Sequence, residues 1–265
     1  MNFDRSVDFI SPAKTNRNAP LFIYLPGMDG TGELFHNQTD SLATSFDLRC
    51  LTIRPDSYST WNDLAQDTVR LIQTELTLKS EQQVYLCGES FGGCLALKTA
   101  LAASNLISKL ILVNPASSSH QLPILGLGAN ISPWLPTWVH RYSAAGLLPF
   151  LANLYRINDC DRLKLLESMK SLSPQVISWR LSLLRDFKVA DEQLRSLNIP
   201  TLAIAGGSDG LLASVQEADK LIDVLPNAQK IVLPQSGHAC LLETGVDLAQ
   251  ILKEQNFLSQ ELIKV

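Results

Sequence analysis

The stretch Tyr85 to Leu97, YLCGESFGGCLAL, places a polar Glu-Ser pair between glycines at the end of an apolar run. A G-x-S-x-G pattern after a strand and before a helix is typical of a nucleophile elbow, a sharp turn that lifts a serine hydroxyl above a sheet. Gly88, Ser90 and Gly92 fit this pattern, and small residues follow them. The stretch therefore predicts a nucleophilic Ser90 on a strand–turn–helix unit.

Short apolar runs alternate with longer helical patterns along the chain, which predicts an α/β fold with a mainly parallel sheet flanked by helices. Most of these runs are continuously apolar, as strands buried on both faces should be. The candidate strands are Leu21–Gly27, Asp47–Ile53, Gln83–Glu89, Lys109–Pro115, Thr201–Gly207 and Ala228–Pro234.

The fourth and fifth candidate strands are separated by roughly 80 residues, too many for an ordinary connection. We therefore predict an inserted helical cap at 117–199, which divides the core into 1–116 and 200–265. Within the insertion, Ser173 and Pro174 form a typical N-cap and first-turn pair, so a helix is expected to begin there.

The first half of the insertion is sparsely charged: from Leu110 to Tyr155 only Arg141 carries a formal charge. We expect this half to cover the serine, because it would otherwise expose a large apolar patch. Prolines interrupt every candidate membrane span before it reaches the required length. Trp134 and Trp138 are candidates for a substrate-facing or membrane-facing rim, and packing inside the cap is the alternative.

A serine hydroxyl is a poor nucleophile until a base removes its proton, so the hypothesis requires a histidine. His36 lies in the first predicted helix, and His120 and His140 lie in the insertion. Only His238 lies in a loop just past the last strand, at the sheet edge where open parallel sheets build their sites. His238 is therefore the predicted base.

The acid that orients the base is expected after the penultimate strand, where AIAGGSDGLL contains Asp209. An ordinary glycine-rich turn is the alternative role for this aspartate. The other acid position of such sheets, after the strand that follows the elbow, holds Asn114, which cannot carry a charge. The order Ser90, Asp209, His238 is the one this architecture uses.

Acyl transfer also requires donors for the tetrahedral oxyanion. We predict the backbone amides of Phe91, after the nucleophile, and Met28, in the loop LPGMDGTG. A phosphate cradle is disfavoured there, because the chain has neither GKS or GKT nor GxGxxG at this loop. This chemistry needs no metal and no organic cofactor.

A net charge of −4 and a pI near 5.6 argue against nucleic-acid partners. The five cysteines lack CxxC spacing, which favours buried free thiols in a reducing compartment. The N-terminus has no apolar secretory core, so we expect a cytoplasmic protein or one on the cytosolic face of a membrane. No sequence feature specifies an oligomeric state.

The whole chain resembles the α/β-hydrolase superfamily. The stretches PLFIYLPGMDGTGELF, YLCGESFGGCLAL and LVNPASS are similar to the hydrolase half of the phytyl ester synthases of plants and their cyanobacterial relatives. In that family a loop like Pro26–Gly30 replaces the more usual His-Gly oxyanion motif. The plant enzymes carry a further acyltransferase-like domain, and because this sequence ends at Val265, hydrolysis is expected over ester synthesis.

The preferred hypothesis is a serine esterase or lipase-type hydrolase, or a related acyltransferase, that acts on a small lipophilic ester. The resemblance implies prenyl or acyl-lipid esters of a photosynthetic membrane, reached by transient contact of the cap with the membrane surface. Two alternatives stay open: lyase or carbon–carbon hydrolase chemistry on the same fold, and a non-catalytic small-molecule receptor.

Overall fold

The computed structural model describes residues 6–79, 82–118, 146 and 148–258, which contain a seven-stranded sheet of order β1-β3-β2-β4-β5-β6-β7. All neighbouring pairs are parallel except the edge pair β1 and β3. The strands are β1 Val7–Ile10, β2 Leu21–Leu25, β3 Asp47–Ile53, β4 Val84–Glu89, β5 Lys109–Val113, β6 Thr201–Gly206 and β7 Ala228–Leu233. The six predicted strands and the α/β-hydrolase fold are confirmed.

The sequence patterns do not predict strand β1. Its four residues, VDFI, include a charge and are too few to show a period, and only Val7 is buried. Pairing with Cys50–Ile53 of β3 makes this segment a strand. A non-local partner, not local preference, therefore determines it.

Helices cover both faces of the sheet. The helices are α1 His36–Ala43, α2 Trp61–Thr77, α3 Phe91–Ala102, α4 Asp159–Lys170, α5 Pro174–Arg185, α6 Asp191–Arg195, α7 Ser214–Val224 and α8 Leu248–Glu254. Alternate residues of β2 divide between the faces: Leu21, Ile23 and Leu25 share an apolar cluster with residues of α2, α3 and α7, whereas Phe22 and Tyr24 share one with residues of α1 and α8. Short 3-10 turns lie at Glu33–Phe35, Ser104–Leu106 and Cys240–Leu242.

The described part of the predicted cap contains α4, α5 and α6. The expected start of α5 is confirmed, since the Ser173 hydroxyl accepts the Val176 amide at 3.3 Å and Pro174 opens the helix. Trp134 and Trp138 lie outside the described residues, and the division into core and cap stays a prediction. No helix within the described ranges is long and apolar enough to cross a membrane.

The five cysteines are all unpaired, and four are buried, as expected; Cys160 on α4 is exposed.

The strand order places a crevice beside β2. The chain leaves β2 for β3 on one side and then enters β4 on the other side, so the loops after β2 and β4 diverge at the carboxyl edge of the sheet. Such a switch point is where open α/β sheets bind their ligands. Ser90 follows β4 and Met28 follows β2, so both lie at this edge.

Gly92 permits the close packing of α3 on β2. A Cβ at this position would lie 2.0 Å from the Leu25 carbonyl oxygen and 2.5 Å from that of Pro26. We predict that Gly92→Ala lowers the free energy of unfolding by about 3 kcal/mol, because the backbone must shift. Urea unfolding measures the change.

Gly146→Ala is the matched control, since no atom of the described residues lies within 4 Å of a Cβ there. It should change stability by less than about 1 kcal/mol. Equal stabilities of the two variants would contradict this account of the elbow packing.

Candidate active site

Ser90 occupies the turn between β4 and α3 in a strained conformation. Its φ of 55° lies in the left-handed region that residues with a side chain seldom adopt, at a cost of about 1–3 kcal/mol. The turn is held from β5: the Ser90 amide donates to the Val113 carbonyl at 3.0 Å, and the Ala116 amide donates to the Ser90 carbonyl at 3.1 Å. The side chain is thereby fixed at the carboxyl edge, half-buried.

The structure brings Ser90, His238 and Asp209 into one hydrogen-bonded line. His238 Nε2 lies 2.8 Å from Ser90 Oγ, and His238 Nδ1 lies 2.8 Å from Asp209 Oδ2. A carboxylate can only accept, so Nδ1 carries the proton and Nε2 is left to accept from the serine hydroxyl. The line can therefore transfer a proton from Ser90 to His238.

Asp209 is held rigidly and ionised. Its Oδ1 accepts the amides of Leu211 and Leu212 at 2.8 and 3.0 Å, and its Oδ2 accepts the Ser214 hydroxyl at 2.5 Å. Burial alone would raise the pKa of Asp209, but the hydrogen bond and charge of His238 outweigh it and the pKa falls below the usual value. The carboxylate is thus negative at neutral pH and can stabilise an imidazolium.

The amides of Met28 and Phe91 donate no hydrogen bond to any residue that the structure describes. Phe91 begins α3, and the loop that carries Met28 follows Leu25, whose carbonyl lies against α3. The Gly27 carbonyl accepts the Gly30 amide at 3.1 Å, which fixes the peptide unit containing the Met28 N–H. Two unpaired N–H donors at one sheet edge are suited to receive an oxyanion.

Asn114 has a role that the sequence did not reveal. From the sequence, Asn114 is only a position that cannot supply the acid, yet its side chain joins three elements. Its amide nitrogen donates to the His238 carbonyl at 2.6 Å and its oxygen accepts the Gly206 amide at 2.7 Å. Its place directly after β5 was the signal that could have identified it. Asn114 therefore anchors the loop that carries His238.

Glu243 anchors the same loop from the other side, and nothing in its sequence context predicts this. The side chain is fully buried and accepts the Gly237 amide at 2.8 Å and the Ser236 hydroxyl at 2.9 Å. Arg156 donates to it from the insertion at 2.5 Å. The position of His238 is thus set by a network of buried polar side chains.

Glu89 lies directly before the nucleophile and is buried. Its Oε2 accepts the Tyr24 hydroxyl at 2.5 Å, while its Oε1 has no partner among the described residues. Burial raises the pKa of Glu89 to about 7, against the opposing effects of the Tyr24 hydrogen bond and the His238 charge. A titrating carboxyl group therefore lies behind the Ser90–His238 pair.

The other histidines take no part in this line within the described residues. His36 Nε2 lies 2.8 Å from Asp161 Oδ1 and so joins α1 to α4 of the insertion. His120 and His140 lie outside the described residues.

Comparisons with known proteins identify a family and several similar chains. The family model Hydrolase_4, described as serine aminopeptidase, S33, matches residues 55–245. The chain is 28% identical to phytyl ester synthase 1, chloroplastic, of Arabidopsis thaliana, covering 92% of this chain. It is 26% identical to the pimeloyl-[acyl-carrier protein] methyl ester esterase of Vibrio campbellii, covering 83% of this chain and 88% of the esterase.

A similar solved structure is olei00960, a hydrolase from Oleispira antarctica. The two structures align with a TM-score of 0.75 and 14% sequence identity, over 96% of this chain and 95% of that one. This likeness supports the fold alone. The chain spans 38% of the length of phytyl ester synthase 1.

Glu89→Gln should remove a pH-dependent loss of stability. A carboxyl group with a raised pKa contributes stability that is present below its unfolded pKa of 4.5 and lost as pH rises through the folded value of about 7. The stability of the wild type relative to the variant should therefore fall from about pH 5 to about pH 8. Urea unfolding of both proteins across this range measures the difference.

Glu192→Gln on α6 is the control, because that side chain is 83% exposed. Its difference from the wild type should not depend on pH. Parallel pH profiles for all three proteins would refute the buried titration.

Proposed function

This chain belongs to the α/β-hydrolase superfamily, in the family described as serine aminopeptidase, S33, and we propose that it is a serine esterase acting on a lipophilic ester. The observation that carries the proposal is the continuous hydrogen-bonded line from Ser90 through His238 to Asp209. The amides of Met28 and Phe91, which have no partner among the described residues, are suited to the second requirement of acyl transfer, an oxyanion site.

In the proposed mechanism, Ser90 Oγ attacks the ester carbonyl while His238 Nε2 takes the hydroxyl proton. Asp209 stabilises the resulting imidazolium, and the Met28 and Phe91 amides bind the oxyanion. His238 then gives its proton to the departing alcohol, which leaves an acyl group on Ser90. A water molecule, deprotonated by His238, releases the acid; an alcohol in its place would give acyl transfer.

An apolar substrate arm is supported by the insertion beside the His238 loop. The Leu151 carbonyl accepts the Ala239 amide at 2.7 Å, so this segment lies directly on that loop. Phe150 is half exposed, and a Cβ on Gly210, next to Asp209, would meet it at 3.4 Å. Each methylene buried against such a surface contributes about 0.8 kcal/mol, which favours a lipophilic ligand.

The names of the relatives guide the choice of ester. The similarity to a phytyl ester synthase supports phytyl or acyl-lipid esters as candidates, and the similarity to a methyl ester esterase supports hydrolysis. We propose that such lipids are reached by transient contact of the insertion with a membrane surface. A protein on the cytosolic face of a membrane would meet these lipid esters at that surface.

Ser90→Ala should lower kcat for a soluble p-nitrophenyl ester by at least about 1,000-fold, because the attacking oxygen is lost. His238→Ala should match this loss, and Asp209→Asn should cause a comparable or smaller one. Ser196→Ala, which alters an exposed serine just after α6, should keep full activity. Retention of more than about a tenth of wild-type kcat by Ser90→Ala would exclude Ser90 as the nucleophile.

The lipophilic arm is tested with phytyl, galactolipid and acetyl esters in matched detergent. We expect higher kcat/KM for the lipid esters, and we expect Phe150→Ser to lower that value while sparing the acetyl ester. Leu163→Ser, which alters an exposed residue of α4, should affect neither. A preference of the wild type for the acetyl ester would refute the lipophilic substrate and leave the esterase proposal standing.

A further inference from the structure

Helix α5 of the insertion buries an arginine against the loops of the core. Arg180 is 2% exposed, and its Nη1 donates to the Met28 carbonyl at 2.5 Å. Its Nη2 donates to the Arg54 carbonyl at 3.2 Å. The guanidinium thus bridges the loops that follow β2 and β3.

This buried cation has no ion-pair partner among the described residues. Asp29 acts on it only from beyond ion-pair distance, and the Asp29 carboxylate instead accepts the amide and hydroxyl of Thr31 at 2.9 and 2.5 Å. Burial lowers the pKa of Arg180 to about 10, so the side chain remains charged at neutral pH. Buried charges are normally paired, so a guanidinium that binds only carbonyl groups indicates a specific role.

The Met28 loop is fixed at two successive peptide units. The Gly30 amide holds the unit that contains the Met28 N–H, through the Gly27 carbonyl. Arg180 holds the next unit through the Met28 carbonyl. Gly30 has a φ of 72°, and a Cβ on it would lie 2.7 Å from Arg180 Nη1, so this glycine also makes room for the guanidinium.

Helix α5 is anchored independently of this arginine. Trp61 Nε1 donates to the Leu183 carbonyl at 2.8 Å, and Trp179 Nε1 donates to the Ser59 carbonyl at 3.1 Å. Phe187, just after the helix, packs in the main core with Leu183. Loss of the guanidinium should therefore leave α5 in place while releasing the Met28–Asp29 peptide.

We propose that Arg180 is a positioning residue that holds the Met28 amide in the orientation required to bind the oxyanion. The inference rests on the proposed function, because it requires the Met28 N–H to be an oxyanion donor. It makes the insertion a part of the machinery for the chemical step as well as a cover for the substrate.

The test replaces Arg180 and measures hydrolysis of a p-nitrophenyl acetate substrate, which needs little contact with the insertion. Arg180→Met should lower kcat by about 100-fold, the scale of a lost oxyanion donor, with KM within about threefold. Arg180→Lys keeps a cation but cannot bridge both carbonyls, and should lose about tenfold. Arg185→Met, on the same helix but paired with Asp186 at the surface, should be unchanged.

Activity is expressed per active site, counted by complete labelling with a fluorophosphonate, so unfolded protein does not enter kcat. A trifluoromethyl ketone that mimics the tetrahedral intermediate should bind more weakly in proportion to the loss in kcat/KM. A purely structural role would lower the number of labelled sites and leave kcat per site unchanged.

If kcat per site in Arg180→Met equals the wild-type value, the proposal is overturned. If that variant yields no labelled sites, the proposal is overturned when Arg180→Lys keeps the wild-type kcat and the wild-type affinity for the ketone. Activity that survives Ser90→Ala would instead reject the proposed function, so the two failures are distinguishable.

Discussion

Helix α3 lies so close to β2 that a Cβ on Gly92 would lie 2.0 Å from the carbonyl oxygen of Leu25, so no side chain fits between them. This contact compresses the connection from β4 to α3 into a single residue, Ser90, with a positive φ. The same contact sets the spacing between the Ser90 turn and the loop that carries Met28. The spacing between the nucleophile turn and the Met28 loop therefore depends on one close backbone approach that glycine permits.

Around this turn the protein places buried ionisable groups. Asp209 is kept ionised by its hydrogen bonds, while Glu89 is buried, has no partner for Oε1 among the described residues and has a pKa raised to about 7. Arg180 contributes a cation that no carboxylate of the described residues pairs with. Charges arranged before the reaction need little reorganisation during it, and they act strongly where water is excluded. Arg180 belongs to α5, in the segment between β5 and β6.

Much of this arrangement could be predicted because its signals are local. The elbow is a contiguous motif, the buried strands are continuous apolar runs, and Asp209 and His238 lie immediately after strands whose carboxyl ends must share an edge. The anchoring residues could not be predicted in the same way. Asn114 and the His238 carbonyl are 124 residues apart, and Arg180 and Met28 are 152 apart. Only the folded chain shows that a buried arginine binds a main-chain carbonyl.

Capture of the acyl-enzyme tests most directly whether Ser90 attacks an ester carbonyl. The protein would be mixed with an activated ester, quenched in acid within one turnover and digested for mass spectrometry. We expect one acyl group, on the peptide that contains Ser90, and we expect this acylated peptide to appear and decay at rates consistent with turnover. Turnover with the acyl group on another residue, or with no acylated peptide under conditions where deacylation limits the rate, would contradict it.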